Sequence, residues 1–555
     1  MIYTNMQTVL VRDPRITINN PEDVEIVISQ GGQRLTQYIQ SADSNDTTQS
    51  NFSFQPPSTK TIVDRYMLLR VLVRLQAVGG TFDLGTATAL RQLPLASIME
   101  TINFQINGGN VNDNISRRIH AMMRFNNETT TRNKYLNKTA SMPDQYLKYD
   151  DWLLYGSNRN PLASYGENSN EQTRGAFPFV SGVETSPGSN KYTELVYEIT
   201  EPIFMSPLLN GLESHPDSGF VNVNQFDVNI KWVSNLSRIL SHVNLEGNTL
   251  TGATVTFVNT PQILVNYITP DNSYALPMLQ VLPYVKFNDY PKNVGVKQPG
   301  ESFQVLSDTI KLNQIPSHLF LFCKRSRNSE TMFTSDVFAR IDNVSILWNN
   351  ESAVFSTYTK QGLFDISKRN GSNLLYAQWD KHVGSVFNME FGVDLGLADG
   401  LSPSTMGQFT ISAQVQMTNL FNEPVEYEFF ISTLLMGSVE ISENSFSQNL
   451  GLVTVPQVQE AEVGNEISPQ NLALGEGQGG SFFTSARKFI NRLSRGAQNA
   501  SRFVNQYGVP ALSAINPALG TAVSGVSRGI GGLADFGRAA TGGRMSGGRL
   551  MLSRR

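Results

Sequence analysis

Only one cysteine, Cys323, occurs in 555 residues, so no internal disulfide can form, and burial and hydrogen-bonded ladders must hold the fold. Such a chain suits a reducing compartment. The opening Met1-Ile-Tyr-Thr-Asn-Met-Gln lacks a basic region followed by an apolar run, so no secretory signal is expected and the Asn-x-Ser/Thr triplets are read as unmodified. No stretch of about eighteen uninterrupted apolar residues is present, which argues against a membrane-spanning helix. Charged residues are only 16% of the chain, below the Glu and Lys content usual in helix-rich enzymes.

Catalytic signatures are scarce too. The five histidines, His120, His215, His242, His318 and His382, lie far apart, with no pair at the spacing that sets two zinc ligands on one helix face. They read as surface or internally satisfied residues. There is no Gly-x-x-x-x-Gly-Lys-Ser/Thr loop, Gly529-Ile-Gly531-Gly532 does not follow a strand, and no Gly-x-Ser-x-Gly elbow occurs. Asp150-Asp151 and the pair Glu198 and Glu201 could suggest glycoside hydrolysis, which depends on carboxylate separation in space. We read them as solvated loop and strand-edge charges. No enzyme, metal or cofactor is therefore expected.

What is present is alternation. Met67, Leu69, Val71, Val73 and Leu75 alternate with Arg70, Arg74 and Gln76 among others, the two-residue period of a strand with one apolar face. Phe226-Asp-Val228-Asn-Ile230-Lys-Trp232 and Phe409-Thr-Ile411-Ser-Ala413-Gln-Val415-Gln-Met417 repeat it. These two strands belong to a longer correspondence. Ile102-Asn-Phe104-Gln-Ile106-Asn107-Gly108 is similar to Val344-Ser-Ile346-Leu-Trp348-Asn349-Asn350, each ending in a turn signal. A helix-compatible segment follows in each copy, Asn114 to Phe125 and Ser372 to Lys381. Closing strands are expected around Ile263–Tyr267 and Tyr427–Ile431.

Ile102 and Phe226 are 124 positions apart, Val344 and Phe409 only 65, so the first copy needs an insertion of about 59 residues. Residues 127–190, polar and weakly periodic, supply it as a surface excursion. Two units of many short strands suit antiparallel sandwiches. Periodicity alone leaves strand order open, and an immunoglobulin-like or galactose-binding sandwich would leave a similar trace.

The order of segments resembles the double jelly-roll major capsid proteins of the adenovirus, polinton-like virus and virophage lineage. The run Asp308-Thr-Ile-Lys-Leu312-Asn-Gln-Ile315-Pro316-Ser-His-Leu319-Phe-Leu321-Phe-Cys-Lys324-Arg325 carries the likeness, with Pro94-Leu-Ala-Ser-Ile-Met-Glu-Thr-Ile102 through Gly108 and the strand around Ile346-Leu-Trp348-Asn349. The resemblance covers about residues 58–445. It implies an all-β chain of two tandem eight-stranded jelly-roll barrels with loop insertions and short helices. It further implies a homotrimer forming a pseudo-hexagonal capsomer, tiled against neighbouring capsomers, penton and minor capsid proteins in an icosahedral DNA-virus shell assembled inside the host cell.

The expected divisions are an N-terminal arm at 1–57, ending in Pro56-Pro57 with strand-like runs at Thr8–Val11 and Val24–Ser29; a first jelly roll at 58–270; a second at 271–447; a Gln-, Glu- and Gly-rich linker at 448–480; and a basic tail at 481–555. The arm reads equally as an edge strand after a disordered start. The tail holds eleven Arg or Lys against one acid, Asp535, for a charge of +10, whereas residues 1–480 hold 32 basic and 46 acidic residues, for −14.

Within the tail, Phe482, Ala486, Phe489, Ile490, Leu493, Ala497, Ala500, Phe503 and Tyr507 recur every three to four residues, with Arg487, Lys488, Arg492, Arg495 and Arg502 between them, a basic amphipathic helix. It suits genomic DNA, an internal membrane or an inner protein, and equally an ordinary core helix with a solvated basic face. Met545-Ser-Gly547-Gly548-Arg549 resembles the (Met/Ile/Leu)-x-Gly-Gly-x site of adenovirus-type maturation proteases, which implies cleavage after Gly548. Two other functions compete: a carbohydrate-binding or hydrolysing sandwich, suggested by the aromatic residues Tyr146, Tyr149, Trp152 and Tyr155, and a minor vertex or spike protein of the same virus.

Overall fold

The computed structural model describes residues 9–11, 26–28, 35–58, 61–84, 87–125, 139–140, 179–189, 191–208, 219–244, 247–268, 278–349, 351–397, 401–451 and 453–454. In the first unit the principal elements are β1 (Leu35–Ser41), β2 (Gln49–Phe54), β3 (Leu68–Val78), α1 (Pro94–Ile98), β4 (Met99–Ile106), β5 (Gly109–Asp113), β6 (Phe179–Glu184), β7 (Lys191–Pro202), β8 (Phe226–Trp232), β9 (Gly252–Phe257) and β10 (Gln262–Ile268). One sheet has the order β5-β4-β8-β2; the other runs β6-β7-β3-β10-β1, with β9 also paired to β3. The expected alternation holds in β3, whose Leu69, Val71, Val73 and Leu75 are buried while Leu68, Arg70, Leu72 and Arg74 face outward. These inward residues meet Ile102, Phe104, Val228 and Ile230 from the opposite sheet in one core.

The second unit repeats the plan with β11 (Leu279–Lys297), β12 (Ser302–Leu306), β13 (Ile310–Gln314), β14 (His318–Arg325), β15 (Arg340–Trp348), β16 (Glu351–Val354), α2 (Lys360–Arg369), β17 (Val386–Glu390), β18 (Thr405–Thr418), β19 (Val425–Ser442) and β20 (Ser445–Leu450). Its sheets are β11-β19-β14-β17 and β12-β18-β15-β16. Strand for strand, β1-β10-β3-β7 corresponds to β11-β19-β14-β17 and β2-β8-β4-β5 to β12-β18-β15-β16. The chain is thus two tandem jelly-roll sandwiches. The nineteen-residue β11 lies at a sheet edge, the position that tolerates Pro283 and Pro291, which have no N–H for a second neighbour.

Several boundaries shift. Leu35–Ser41 pairs with β10 and Gln49–Phe54 with β8, so the second half of the expected arm belongs to the first sandwich. Its polar residues concealed this: in β2 every second side chain, Ser50, Phe52 and Phe54, is buried. Val9–Val11 pairs with Ile26–Ile28. Phe179–Glu184, inside the expected insertion, pairs with β7, while residues 127–138 and 141–178 fall outside the described residues. β20 crosses the expected boundary at 447 and pairs with β19, and Val453–Thr454 pairs with Thr405–Met406.

The helical expectations were met in part. Asn114–Phe125 contains a 3-10 turn, Ile115–Arg117, and one helical turn, Ile119–Met122. In the second copy the main helix is Lys360–Arg369, upstream of the expected Ser372–Lys381, which holds only part of a π turn at Gln378–His382. Thr359 starts that helix, its hydroxyl accepting from the Gly362 N–H at 3.2 Å.

Both duplicated turns require a left-handed backbone. Asn107 and Gly108 have φ of 49° and 83°, and Asn349 has φ of 51°. Gly384 is more constrained, since at φ +75° a Cβ would lie 1.9 Å from the Phe338 carbonyl oxygen, whereas at Gly188, φ +76°, it would meet nothing within 4 Å. Gly384→Ala is expected to cost about 3 kcal/mol and Gly188→Ala about 1 kcal/mol in urea unfolding; equal losses would contradict the close approach.

Candidate functional site at the junction of the two sandwiches

Two sandwiches in one chain act as a single body only through the surface that joins them. β14 reads His318-Leu-Phe-Leu-Phe-Cys-Lys-Arg325, with every residue buried, the pattern of a strand covered on both faces. Leu319, Leu321 and Cys323 enter the core of the second sandwich. Phe320 and Phe322 point the other way and pack with Phe430 and Leu434 against Ala121 and Phe125 of the first unit. Phe125 meets Phe320 edge to face at 5.4 Å, and Phe322 stacks on Phe430 at 5.1 Å. The segment that follows β5 therefore covers the outer face of the sheet β11-β19-β14-β17.

Four arginines of the first unit turn this apolar contact into a specific one. Arg91, fully buried, donates to Asp336 at 2.6 Å and to the carbonyl oxygens of Thr331, Thr334 and Leu240 at 3.2, 2.8 and 3.2 Å. Arg238 donates to Glu330 and lies 3.4 Å from Asp336. Lys324 reaches the other Glu330 oxygen at 3.2 Å. Arg118 pairs with Asp113 of its own unit and with Asp289 across the junction at 2.9 Å, over the Phe287 ring. Arg124 lies 4.0 Å from the centre of the Phe338 ring and donates to the carbonyl oxygens of Val383 and Asp336. Guanidinium suits these positions because its planar donors serve several acceptors at once.

Burial alone would push the Asp336 carboxyl up, but Arg91, with His120 and Arg238 nearby, holds it well below the usual carboxylate range. Glu330 is likewise held down against its burial by Arg238 and Lys324. His120, buried 3.8 Å from Asp336, is pushed down to about 4 by desolvation despite that carboxylate.

Both ends of the sandwiches are tied together. At one end Asn107 Nδ2 donates to the Ser442 carbonyl at 2.8 Å, Asn224 Nδ2 to that of Glu443, and Phe446 packs on Gly109. At the other, Arg327 pairs with Glu100 at 3.4 Å and Asn235 Nδ2 donates to the Glu330 carbonyl at 3.2 Å. The sandwiches therefore stand side by side with the same orientation. The chain leaves the second sandwich at the Asn107 end, where Val453–Thr454 runs beside Thr405–Met406 and Gly451 abuts Gln314.

The expectation that Glu198 and Glu201 are both solvated strand-edge charges is corrected for Glu201. Glu198 and Glu201 occupy opposite faces of β7: Glu198 pairs with Arg70 at 2.7 Å on the outer face, whereas Glu201 is fully buried. Glu201 accepts from Leu95 N–H, Ala96 N–H and Thr139 Oγ1 at 3.0, 2.8 and 2.7 Å, and burial pushes its carboxyl up to about 7 against those bonds. It anchors the start of α1 and is no solvated strand-edge charge. His120, His242 and His318 are buried, and no group of three or more His, Cys, Asp or Glu able to hold a metal ion occurs among the described residues. Arg487, Lys488, Arg492, Arg495 and Arg502, the cleavage candidates Met545, Gly547, Gly548 and Arg549, Asp150-Asp151, His215 and the aromatic residues at 146–155 all lie outside the described residues.

The junction charges escaped sequence reasoning because Arg91 and Asp336 are 245 positions apart. Two signals were present: arginines inside the apolar Asn114–Phe125 segment, and the two-faced apolar run of β14.

The chain resembles known proteins over the same extent. Residues 4–268 match the family model of the Sputnik virophage major capsid protein first domain, and residues 287–383 that of the major capsid protein V20 C-terminal domain, together more than half of the chain. A putative capsid protein V20 of Sputnik virophage is 26% identical over 539 residues, covering 90% of this chain and 88% of the relative. A chain in the cryo-EM structure of Sputnik virophage superposes with a TM-score of 0.71 at 26% identity, covering 85% of this chain and 99% of its own. The crystal structure of the mavirus major capsid protein gives 0.63 at 15% identity, covering 79% and 94%.

Asp336→Ala should lower the unfolding free energy by about 3–5 kcal/mol, because it leaves Arg91 buried without its counter-charge; a loss below about 1 kcal/mol in urea titration would refute the role of the cluster. The pH dependence follows from the buried groups. His120, His242 and His318 are lowered to about 4, 4 and 3, chiefly by burial, so the stability they contribute is intact above about 6.5 and lost as pH falls toward 4. Glu201 acts in the opposite sense: its contribution is intact below pH 4.5 and lost as pH rises through about 7. The stability of the parent relative to Glu201→Gln should therefore decline between pH 5 and 7.5. A constant difference would contradict the raised pKa.

Proposed function

The chain belongs to the major capsid proteins of the Sputnik virophage kind, and from that premise we propose that three copies associate so that their six sandwiches form one pseudo-hexagonal capsomer. Its place is the virion capsid and its role is structural rather than catalytic, exercised beside neighbouring subunits of the shell. The observation that carries the trimer is the internal duplication: two sandwiches of equal orientation, joined by the Arg91–Asp336 cluster and by contacts at both ends, form a rigid two-sided building block. Three such blocks can close a ring of six by one repeated contact. The carbohydrate reading lacks a comparable observation.

The tail, residues 481–555, faces the particle interior in this proposal. Its +10 charge against the −14 of the body supports contact with packaged DNA or an anionic lipid layer through Arg487, Lys488, Arg492, Arg495 and Arg502. Both duplicated turns and the chain exit lie at one end of the sandwiches, which supports that end facing inward. Penton and minor capsid proteins are further partners, and Met545-Ser-Gly547-Gly548-Arg549 is a candidate substrate for a maturation protease acting after Gly548.

Light scattering of purified protein should give a mass three times the 61.4 kDa of the chain, and electron microscopy hexagonal outlines. Monomers or pentamers would overturn the capsomer. Removing residues 481–555 should leave the trimer intact and impair particle assembly or packaging; an unchanged infectious yield would refute the interior role. Intact mass of mature particles tests cleavage, and a terminus at Arg555 rules it out.

A further inference from the structure

The duplication makes a prediction about surfaces, because one copy of a repeated face is covered within the chain and its counterpart, among the described residues, is buried along β7 and partly exposed across β1, β10 and β3. In the second unit the outer face of β11-β19-β14-β17 is buried under the first unit's Asn114–Phe125, the segment that follows β5. The corresponding face of the first unit is formed by β1-β10-β3-β7. Strand register puts Ile39, Leu264, Leu68 and Pro202 in one row across it, and Leu72 beside Glu198 four residues further along β3. Ile39 is 49% exposed, and Leu68, Leu72 and Leu264 are half-buried. Around them stand two ion pairs, Arg70–Glu198 at 2.7 Å and Arg74–Glu194 at 3.3 Å.

The second unit also carries the counterpart of the covering segment. Residues 355–382 follow β16 as residues 114–125 follow β5. Their inner side chains, Phe355, Leu363, Ile366 and Trp379, enter the second core. Their outer side includes Tyr358, Leu375 and Tyr376, which are 45%, 66% and 37% exposed, with Lys368 and Arg369 at the surface. Apolar side chains of this size standing out among cations mark a contact surface.

We infer that residues 355–382 of one copy dock on the outer face of β1-β10-β3-β7 of a second copy, repeating between chains the contact that Asn114–Phe125 makes within the chain. The occupant is a second copy because the internal contact supplies its template: equivalent sheet, equivalent covering segment and equivalent chain position. Arg369 is held by Asp394 of its own unit at 3.0 Å, and Lys368 is the cation the segment brings toward the ion pairs Arg70–Glu198 and Arg74–Glu194. The contact is head-to-tail, so each copy offers one segment and one face, and three copies close the ring. This inference rests on the trimer reading above and assigns the residues that form it.

Leu375→Glu disables the segment and Leu72→Glu the face; Ile39→Lys tests the same face with an exposed residue. Each variant, checked for cooperative urea unfolding, should lose the trimer and run at one chain mass. Mixing Leu375→Glu with Leu72→Glu should restore one sound contact per pair and give a species of twice the chain mass on cross-linking. Variants that stay trimeric, or a mixture that stays monomeric, overturn this assignment while the capsomer stands. A parent that is not trimeric overturns the capsomer itself.

Discussion

Asp336 is a carboxylate taken out of water and kept charged by arginines from the other sandwich, and the relation between the two halves of the molecule depends on it. An isolated buried charge would be prohibitive, and even a paired one contributes less to stability than its Coulomb energy suggests. What the cluster supplies is definition. Across the junction Arg91 reaches Asp336 and the carbonyl oxygens of Thr331 and Thr334 in fixed directions, so a rotation of one sandwich against the other would strand several buried donors and acceptors together. The aromatic contacts of Phe125, Phe320 and Phe322 provide area, and the ionic cluster makes only one arrangement of that area acceptable.

A shell protein has reason to need such definition. Errors in the angle between two sandwiches repeat at every subunit and accumulate across a lattice. Charge is divided accordingly. Within the body, opposite charges are consumed in buried or half-buried pairs; the tail keeps its basic excess together in one segment. Duplication adds economy, since one contact geometry can serve both within and between chains.

Strands were legible where burial is one-sided. Phe226–Trp232 occurs at the bounds its alternation implies, and β3 differs by two residues, because a pleated strand at a core boundary sorts every second side chain by polarity. Reading faltered where that sorting is hidden. β2 buries Ser50 beside Phe52 and Phe54, and β20 is half-buried or exposed along its length, so β2 was assigned to the arm and the end of β20, residues 448–450, to the linker. Glu201 was misjudged because its neighbours in sequence do not reveal that Thr139 and the start of α1 converge on it.

By itself the sequence determined the all-β class, the duplication, the absence of disulfides and the division between an acidic body and a basic tail, all of which are properties of composition and short-range period. Tertiary structure alone decided that Arg91, Arg118 and Arg238 face acids of the other unit and Arg124 its carbonyl oxygens, that Glu201 is a buried anchor, and that one duplicated sheet face is covered while its twin is partly exposed among the described residues. The physical reason is range. Alternation is written between residues two positions apart, whereas ion pairing and face coverage across the junction join residues 92 or more positions apart, whose meeting depends on the fold having already formed.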